Sequence, residues 1–330
     1  MKKFLCALLC LILVVSLISC GNTKAEKLKL GLGTHTETSV TDATEDANGK
    51  AKATTTVAAI TVNAENKIVA CVLDAADATV QYTAEGKAVA NDSFKTKNEL
   101  GDAYNMKAYA GSKLEWYEQA KAFADLAVGK TVDEVKALVA EGDKGTSDVI
   151  AAGCTITVAE FVYAIEDAFK NLTESEATAN DTLKLGVSTE QSVADATEDV
   201  DGKSQLETTF FAAAVNADAK IVAAYSDCLQ VKFTFDATGK STFDTTKALT
   251  TKRVAGTNYN MSAYGTDLNG DGTVKEWNEQ AAIFDAHCVG KTASEVASLK
   301  GDNNYGSSDL QSAGCTVLVN GFVAAAAKIG

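Results

Sequence analysis

The feature that most constrains this chain is that it repeats itself. Ser39-Val40 through Asn48-Gly49-Lys50 returns as Ser192-Val193 through Asp201-Gly202-Lys203, and Asp42-Ala43-Thr44-Glu45-Asp46 returns as Asp195-Ala196-Thr197-Glu198-Asp199. Lys29-Leu30-Gly31 matches Lys184-Leu185-Gly186, and Tyr104-Asn105-Met106 matches Tyr259-Asn260-Met261. Glu115-Trp116 with Gln119-Ala120 recurs as Glu276-Trp277 with Gln280-Ala281, and Val128-Gly129-Lys130-Thr131 as Val289-Gly290-Lys291-Thr292. The order is kept throughout and the period is far longer than a solenoid's, so the chain reads as a duplicated domain. One copy spans residues 28–170 and the other 182–330, with a polar Ser/Thr/Glu-rich linker at 171–181 between them. A length of 330 residues suits two domains of ordinary size.

Within a copy the hydrophobic period changes. Thr54 to Val62 alternates β-branched and small residues, Asn63 to Asn66 supplies a turn, and Lys67 to Leu73 resumes, which predicts a hairpin. Thr79 to Tyr82, Glu85-Gly86 and Lys87 to Val89 predict a second one. Glu115 to Val128 then places Trp116, Ala120, Phe123 and Ala127 on one side at helical spacing and stops at Gly129. Thr131 with Glu134 predicts a capping box for a short helix through Leu138. Thr157 with Glu160 predicts another, opening a helix whose Phe161, Ile165 and Phe169 share a face. Strands followed by helices make an α+β domain, so the expected fold is two tandem β-hairpin-rich sheets, each followed by helices.

Composition bounds the partners. With 46% hydrophobic and 22% charged residues the chain is globular, and its net charge of −14 argues against nucleic acid and anionic lipid surfaces. Proline is absent, so turns depend on 24 glycines and on Asn and Asp. Met1-Lys2-Lys3 and an apolar run from Phe4 to Ile18 read as a signal peptide over residues 1–19, too short for a comfortable membrane span. Leu17-Ile18-Ser19-Cys20 resembles the bacterial lipoprotein processing motif. That resemblance implies a diacylated Cys20 as the mature first residue, residues 20–27 as its tether, and an extracytoplasmic location on a membrane lipid anchor. Of eight cysteines, Cys6 and Cys10 leave with the signal, and Cys71, Cys154, Cys228, Cys288 and Cys315 remain beside Cys20. An odd number outside the cytoplasm leaves at least one unpaired within the chain, and only Cys154 and Cys315 occupy matching positions.

The second copy carries an insertion the first lacks, Asp267-Leu268-Asn269-Gly270-Asp271-Gly272-Thr273-Val274-Lys275-Glu276-Trp277-Asn278. It resembles an EF-hand calcium loop, which implies Asp267, Asn269, Asp271 and the Thr273 carbonyl as calcium ligands, with Gly272 at the sharp turn. Asn278 stands where a bidentate Glu is usual, which implies weak affinity, in the range suited to extracellular calcium. The bland alternative is a Gly/Asp turn without metal.

Each copy closes with the same phrase. Ser147-Asp148 leads to Ala152-Gly153-Cys154-Thr155, and Ser308-Asp309 leads to Ala313-Gly314-Cys315-Thr316. These stretches resemble the flavin-attachment motif of the FMN-binding domain family, where Asp, two residues and Ser/Thr-Gly-Ala-Thr precede a helix and the last Thr is esterified through the FMN phosphate. Here the spacing is one residue longer, Ala152 and Ala313 replace Ser/Thr, and Cys154 and Cys315 replace Ala. The resemblance implies FMN as cofactor, held in each copy by Asp148, Gly153, Cys154 and Thr155 and by Asp309, Gly314, Cys315 and Thr316. It also implies a flavin transferase and a membrane oxidoreductase as partners, and electron transfer to an extracellular acceptor. A small-residue turn before a helix N-terminus suits a phosphate, and it equally suits a tight turn that lets the last helix pack on the sheet. Tyr104, Met106 and Trp116, with Tyr259, Met261 and Trp277, are candidates for a ring wall or for a core seam. No Ser-His-Asp or Cys-His set repeats between the copies, which points to a carrier before a turnover enzyme. The competing class is a non-catalytic surface lipoprotein that binds a ligand or a protein partner.

Overall fold

Long stretches of Ala, Thr and Val at alternating positions favour extended chain, where β-branched side chains pack well on a pleated surface. The computed structural model describes residues 25–268, 270 and 272–330; the expected signal peptide, Cys20 and most of the expected tether lie outside the described residues. β1 (Lys29–Thr41), β2 (Gly49–Val62) and β3 (Ile68–Tyr82) form an antiparallel meander in which Lys29 faces Val62 and Gly49 faces Tyr82. β4 (Ala88–Val89) adds to β3 as the second predicted hairpin. Then come α1 (Lys97–Leu100), α2 (Met106–Ala110), α3 (Trp116–Ala127), α4 (Val132–Lys136), α5 (Ser147–Ala151) and α6 (Ala159–Lys170). After β5 (Thr173–Glu174), the second copy repeats the plan with β6 (Thr182–Ala194), β7 (Gly202–Val215) and β8 (Ile221–Phe235). Its helices are α7 (Lys252–Ala255), α8 (Met261–Tyr264), α9 (Trp277–Cys288), α10 (Ser308–Ser312) and α11 (Asn320–Ala327). The α+β class is therefore the observed one.

Trp116, Ala120, Phe123 and Ala127 are all buried on the inner face of α3, as their spacing requires. The Thr131–Glu134 capping box opens α4. The Thr157–Glu160 box does not form. Thr157 is held extended in a bridge to Lys144, Val158 donates its N–H to the Asp143 carbonyl at 2.7 Å, and α6 starts at Ala159 with no side-chain cap. One sequence match also shifts. The counterpart of Gly186 is Gly33, not Gly31, since Lys29–Val62 and Thr182–Val215 are equivalent ladder pairs. Both glycines lie where the last helix crosses the sheet; a Cβ on Gly33 would overlap the backbone of Ala164 and Ala168, and one on Gly186 the Ala325 carbonyl.

Alternation along each strand divides its residues between two cores. Ala58, Ile60 and Val62 face the helices of their own copy, packing with Trp116, Phe123, Phe161 and Ile165. Val57 and Ala59 face the other way and meet the second sheet, in a shared core with Leu30, Leu32, Val187, Phe210 and Phe233. The second copy buries Phe211 against Phe284 and Phe322 in the same manner. The molecule is thus four layers, helices on sheet on sheet on helices.

The two copies interlock by reciprocal contacts. Ala43 donates its N–H to the Gly239 carbonyl and Ala196 donates to the Gly86 carbonyl, both at 2.8 Å. Asp42 Oδ1 accepts from Ser241 N at 2.8 Å, and Asp195 Oδ1 from Ala88 N at 2.9 Å. Tyr82 and Phe235 stack between them at 4.5 Å and 3°. Gly86 and Gly239 have φ of +67° and +71°, and a Cβ on either would press on the backbone of the opposite copy. The repeated Asp-Ala-Thr-Glu-Asp phrase is therefore, through its first two residues, an inter-repeat clamp. The linker is also built in. Thr173–Glu174 pairs with Leu30 and Lys29, Leu28 donates to the Ala177 carbonyl at 2.8 Å, and Ala177 is fully buried.

Candidate functional site

In both copies the Gly-Cys-Thr phrase makes a tight reversal between a short helix and the last long one. Gly153 and Gly314 have φ of +106° and +97°, a region where a side chain is strained. Cys154 and Cys315 point into the core beside the last helix and are fully buried. Burial pushes the Cys154 thiol up to about 11 and the Cys315 thiol up to about 12, so both are protonated packing residues at neutral pH. All five cysteines of the described residues are unpaired. Asp148 and Asp309 sit exposed in the first turns of α5 and α10, where their charge suits the helix dipole, and their backbone carbonyls accept from Ala152 and Ala313.

A buried glutamine holds each turn. Gln119 Oε1 accepts from Thr155 N at 2.8 Å and from Thr155 Oγ1 at 3.1 Å. Gln280 Oε1 does the same for Thr316 at 2.7 and 3.3 Å. Behind them, Gln119 Nε2 donates to Ser112 Oγ and the Leu114 carbonyl, and Gln280 Nε2 to the Lys275 carbonyl. Both glutamines are fully buried, so each amide is the turn's internal hydrogen-bond partner. Gly153 N and Cys154 N donate to the Ile150 and Val149 carbonyls, and Gly314 N and Cys315 N to those of Gln311 and Leu310. The turn's N–H groups are thus committed internally. Thr155 is exposed, while Thr316 is buried. The N–H groups and hydroxyls of the Gly-Cys-Thr phrase are therefore bonded within the protein. The glutamines were visible in the sequence as the matched Gln-Ala pairs, one turn after each tryptophan.

Beside the turn lies a cleft, and it too occurs twice. In the first copy it is a cavity of about 210 Å³ lined by Glu37 and Thr56 of the sheet, Lys97, Trp116 and Phe161 of the helices, and Thr157. In the second it is about 190 Å³ and lined by the counterparts Glu190, Thr209, Lys252, Trp277, Phe322 and Leu318. The structure brings Tyr104, Met106 and Trp116 together on the wall of the first cleft. Lys97 Nζ lies 5.3 Å from the Tyr104 ring centroid and 5.2 Å from that of Trp116. Lys252 Nζ lies 5.3 and 5.8 Å from those of Tyr259 and Trp277. The wall is braced from outside by Glu115, which caps α3 and accepts from Met106 N at 2.7 Å; Glu276 repeats this with Met261 N at 2.8 Å. Thr155 and Thr316 do not line either cleft.

The lysines are mounted on helices that begin over a buried aspartate. Asp74 Oδ1 accepts from Ala75 N and Asn98 N, and Asp227 Oδ1 from Cys228 N and Arg253 N. Burial raises both carboxyls to about 6 against the hydrogen bonds that lower them. The repeated Thr96-Lys97 and Thr251-Lys252 pairs were the sequence signal for this mount. Each copy also turns a tyrosine outward three residues beyond the wall methionine: Tyr109 is 88% exposed and Tyr264 is 81% exposed.

Of the expected calcium ligands, Asn269 and Asp271 lie outside the described residues. Asp267 folds back on its loop, accepting from Gly270 N at 2.7 Å and Gly272 N at 2.9 Å. Among the described residues no group of three or more His, Cys, Asp or Glu is placed to hold a metal ion. At the end of the loop, Asn278 Oδ1 is buried without a hydrogen-bond partner.

Comparison with protein-family models, with curated proteins and with solved structures returns no match.

Proposed function

We propose that this chain is an extracytoplasmic, lipid-anchored binding protein whose two copies each hold one small polar ligand in the cleft beside Lys97 or Lys252. The carrying observation is that both copies keep the same cleft, with a lysine laid across a tyrosine and a tryptophan, while the acid that pairs with the lysine has changed position. Duplicated domains preserve cores for stability, but a polar hollow at the surface is not needed by the core. The anchor is supported by Leu17-Ile18-Ser19-Cys20, since two acyl chains on Cys20 give stable attachment where one does not.

A flavin-carrying electron-transfer protein is the second reading. Its support is that the wall residues Tyr104, Met106 and Trp116 share one cleft with Thr157, two residues past the motif threonine. Against it stand the committed N–H groups of the turn, the buried Thr316 hydroxyl, and cavities of about 210 and 190 Å³, too small to enclose a three-ring isoalloxazine with its ribityl phosphate. A visible spectrum of protein purified from its own membrane separates the two. The binding reading expects a colourless protein whose tryptophan emission shifts with a small polar ligand, because Trp116 and Trp277 line the clefts. A flavin band that survives denaturation replaces it with the electron-transfer reading.

The loop from Asp267 is proposed to hold calcium weakly. The orphaned Asn278 Oδ1, at the position of the usual bidentate ligand, favours that reading. Calorimetry at millimolar calcium tests it: heat with one site per chain supports it, and no heat removes it.

A further inference from the structure

We infer that the ligand of both clefts is a small zwitterion of the α-amino-acid type, its carboxylate on Lys97 or Lys252 and its ammonium on Glu37 or Glu190. This inference rests on the reading of the clefts as ligand sites.

The first argument is what duplication has kept and what it has moved. Lys97 Nζ has its acid partner on β3, Asp77 Oδ2 at 3.6 Å, an oxygen it shares with Lys52 Nζ at 3.2 Å. In the second copy Gln230 occupies the Asp77 position, and the acid is Glu207 on β7, 3.2 Å from Lys252 Nζ. Thr54 faces Asp77 across the first sheet and Glu207 faces Gln230 across the second, so the carboxylate has changed strands within one cross-strand pair. A lysine present only to neutralise a particular acid has no reason to outlast it. Here the lysine stays and its neutraliser is rebuilt. That is the pattern expected when the ammonium group itself is needed.

The second argument is how the ammonium is presented. Its stem is buried between rings, with the Lys97 and Lys252 side chains 14% and 9% exposed. An ammonium has three donors, more than a single paired carboxylate uses, and both lysines line their cavities. The desolvated, aromatic setting strengthens a charge-assisted bond to a carboxylate relative to bulk water.

The third argument is the opposite charge retained nearby. Glu37 and Glu190 are equivalent positions on the first strand of each sheet and line the same cavities as the lysines. A buried cation and a rim carboxylate in one cleft, Glu37 with its side chain 66% exposed and Glu190 accepting from Asn320 Nδ2 at 2.5 Å, select against purely anionic and purely cationic molecules and for one that carries both charges. Trp116 against Phe161, with ring centroids 5.6 Å apart, and Trp277 against Phe322, at 5.4 Å, supply the apolar surface for a side chain. Cavities of about 210 and 190 Å³ hold roughly six or seven waters' worth of space, which suits a single amino acid and not a nucleotide.

The test is calorimetry and tryptophan fluorescence on the full mature chain with each of the twenty amino acids. For the best binder, the amine lacking its carboxylate and the acid lacking its amine are titrated in parallel; for leucine these are isopentylamine and 4-methylpentanoate. The expected result is two sites per chain and at least tenfold weaker binding of both analogues. A similar loss is expected in Lys97→Met with Lys252→Met and in Glu37→Gln with Glu190→Gln. The glutamate pair is at the exposed rim, so it keeps the test valid if the lysine variants lose their fold by circular dichroism. Equal binding of either analogue, or no response to any amino acid, overturns the zwitterion. A library of sugars, nucleotides, organic acids and FMN in the same assay then locates the failure. A hit of another class that the lysine variants abolish leaves the clefts as sites with a different ligand, and silence from every class removes the clefts as sites altogether.

Discussion

At the scale of single residues, the two copies act as controls for each other. Asp74 is buried and titrates near 6 instead of near 4, so its neutral form is the one the fold prefers. A folded pKa raised in this way contributes stability that is complete below the unfolded value and is lost as pH rises through about 6. Asp74→Asn keeps the Oδ1 acceptor for Ala75 and Asn98 and removes the charge. It is expected to be more stable than the wild type by about 3 kcal/mol at pH 7 to 8 and indistinguishable from it below about pH 4, read by urea titration at each pH. A variant less stable at every pH would show that the ionised carboxylate is what the site needs. In the second copy, Arg253 donates to Asp285 Oδ2 at 2.6 Å in the interior and lies 3.9 Å from the Tyr225 ring centroid. The first copy has Asn98 and Ala124 at these positions, and Asn98 Nδ2 makes the equivalent bond to a β3 carbonyl, that of Leu73. Asp285→Ala alone strands a buried guanidinium and should cost about 3–5 kcal/mol, whereas Arg253→Asn with Asp285→Ala should recover most of that loss. Additive losses in the double variant would contradict it. The glutamines that hold the Gly-Cys-Thr turn show why this site was only half legible. Spacing revealed that Gln119 and Gln280 recur, but only the fold reveals that Thr155 and Thr316 spend their hydroxyls on them.

At the scale of elements, the period of the apolar residues was a sound guide and the ends were not. The switch from alternation to helical spacing marked α3, whose four predicted core residues are all buried. The Thr157–Glu160 signal failed because extended pairing of Thr157 with Lys144 takes the backbone away from a cap. The polar linker was read as a spacer because Ser, Thr and Glu dominate it, yet Ala177 within it is part of the inter-sheet core. The β2–β3 and β7–β8 turns offer a comparison at matched positions. Asn66 has φ of +56°, a region asparagine tolerates, while its counterpart Ala219 is held at +58°. Ala219→Asn is therefore expected to stabilise the protein by about 1 kcal/mol, raising its melting temperature, and a lowered melting temperature would show that the alanine makes a contact worth more than the strain.

At the scale of the molecule, tandem repetition suggested two beads on a polar string, and the four-layer packing replaces that picture with one body. The sheets share a core, and each copy's Asp-Ala phrase grips the other's turn, so neither can unfold without exposing the apolar face of its neighbour. Alternation in β2 and β7 is blurred by burial on both faces, which is why the outer core was evident from the helices while the inter-sheet core was not. The full chain should melt in a single transition with equal calorimetric and van't Hoff enthalpies, and two resolved transitions would show that the clamp does not couple the copies. Each copy still keeps its own cleft on the sheet face turned toward its helices, so coupling of the folds does not merge the sites. The most direct measurement of the central claim is native mass spectrometry of the protein purified gently from its own cells. Two equivalents of one small molecule per chain are expected, falling to one in Lys97→Met and to none when Lys252→Met is added, with all mass lost on denaturation. A chain with no small molecule bound under native conditions, or a flavin that remains after denaturation, would contradict the account.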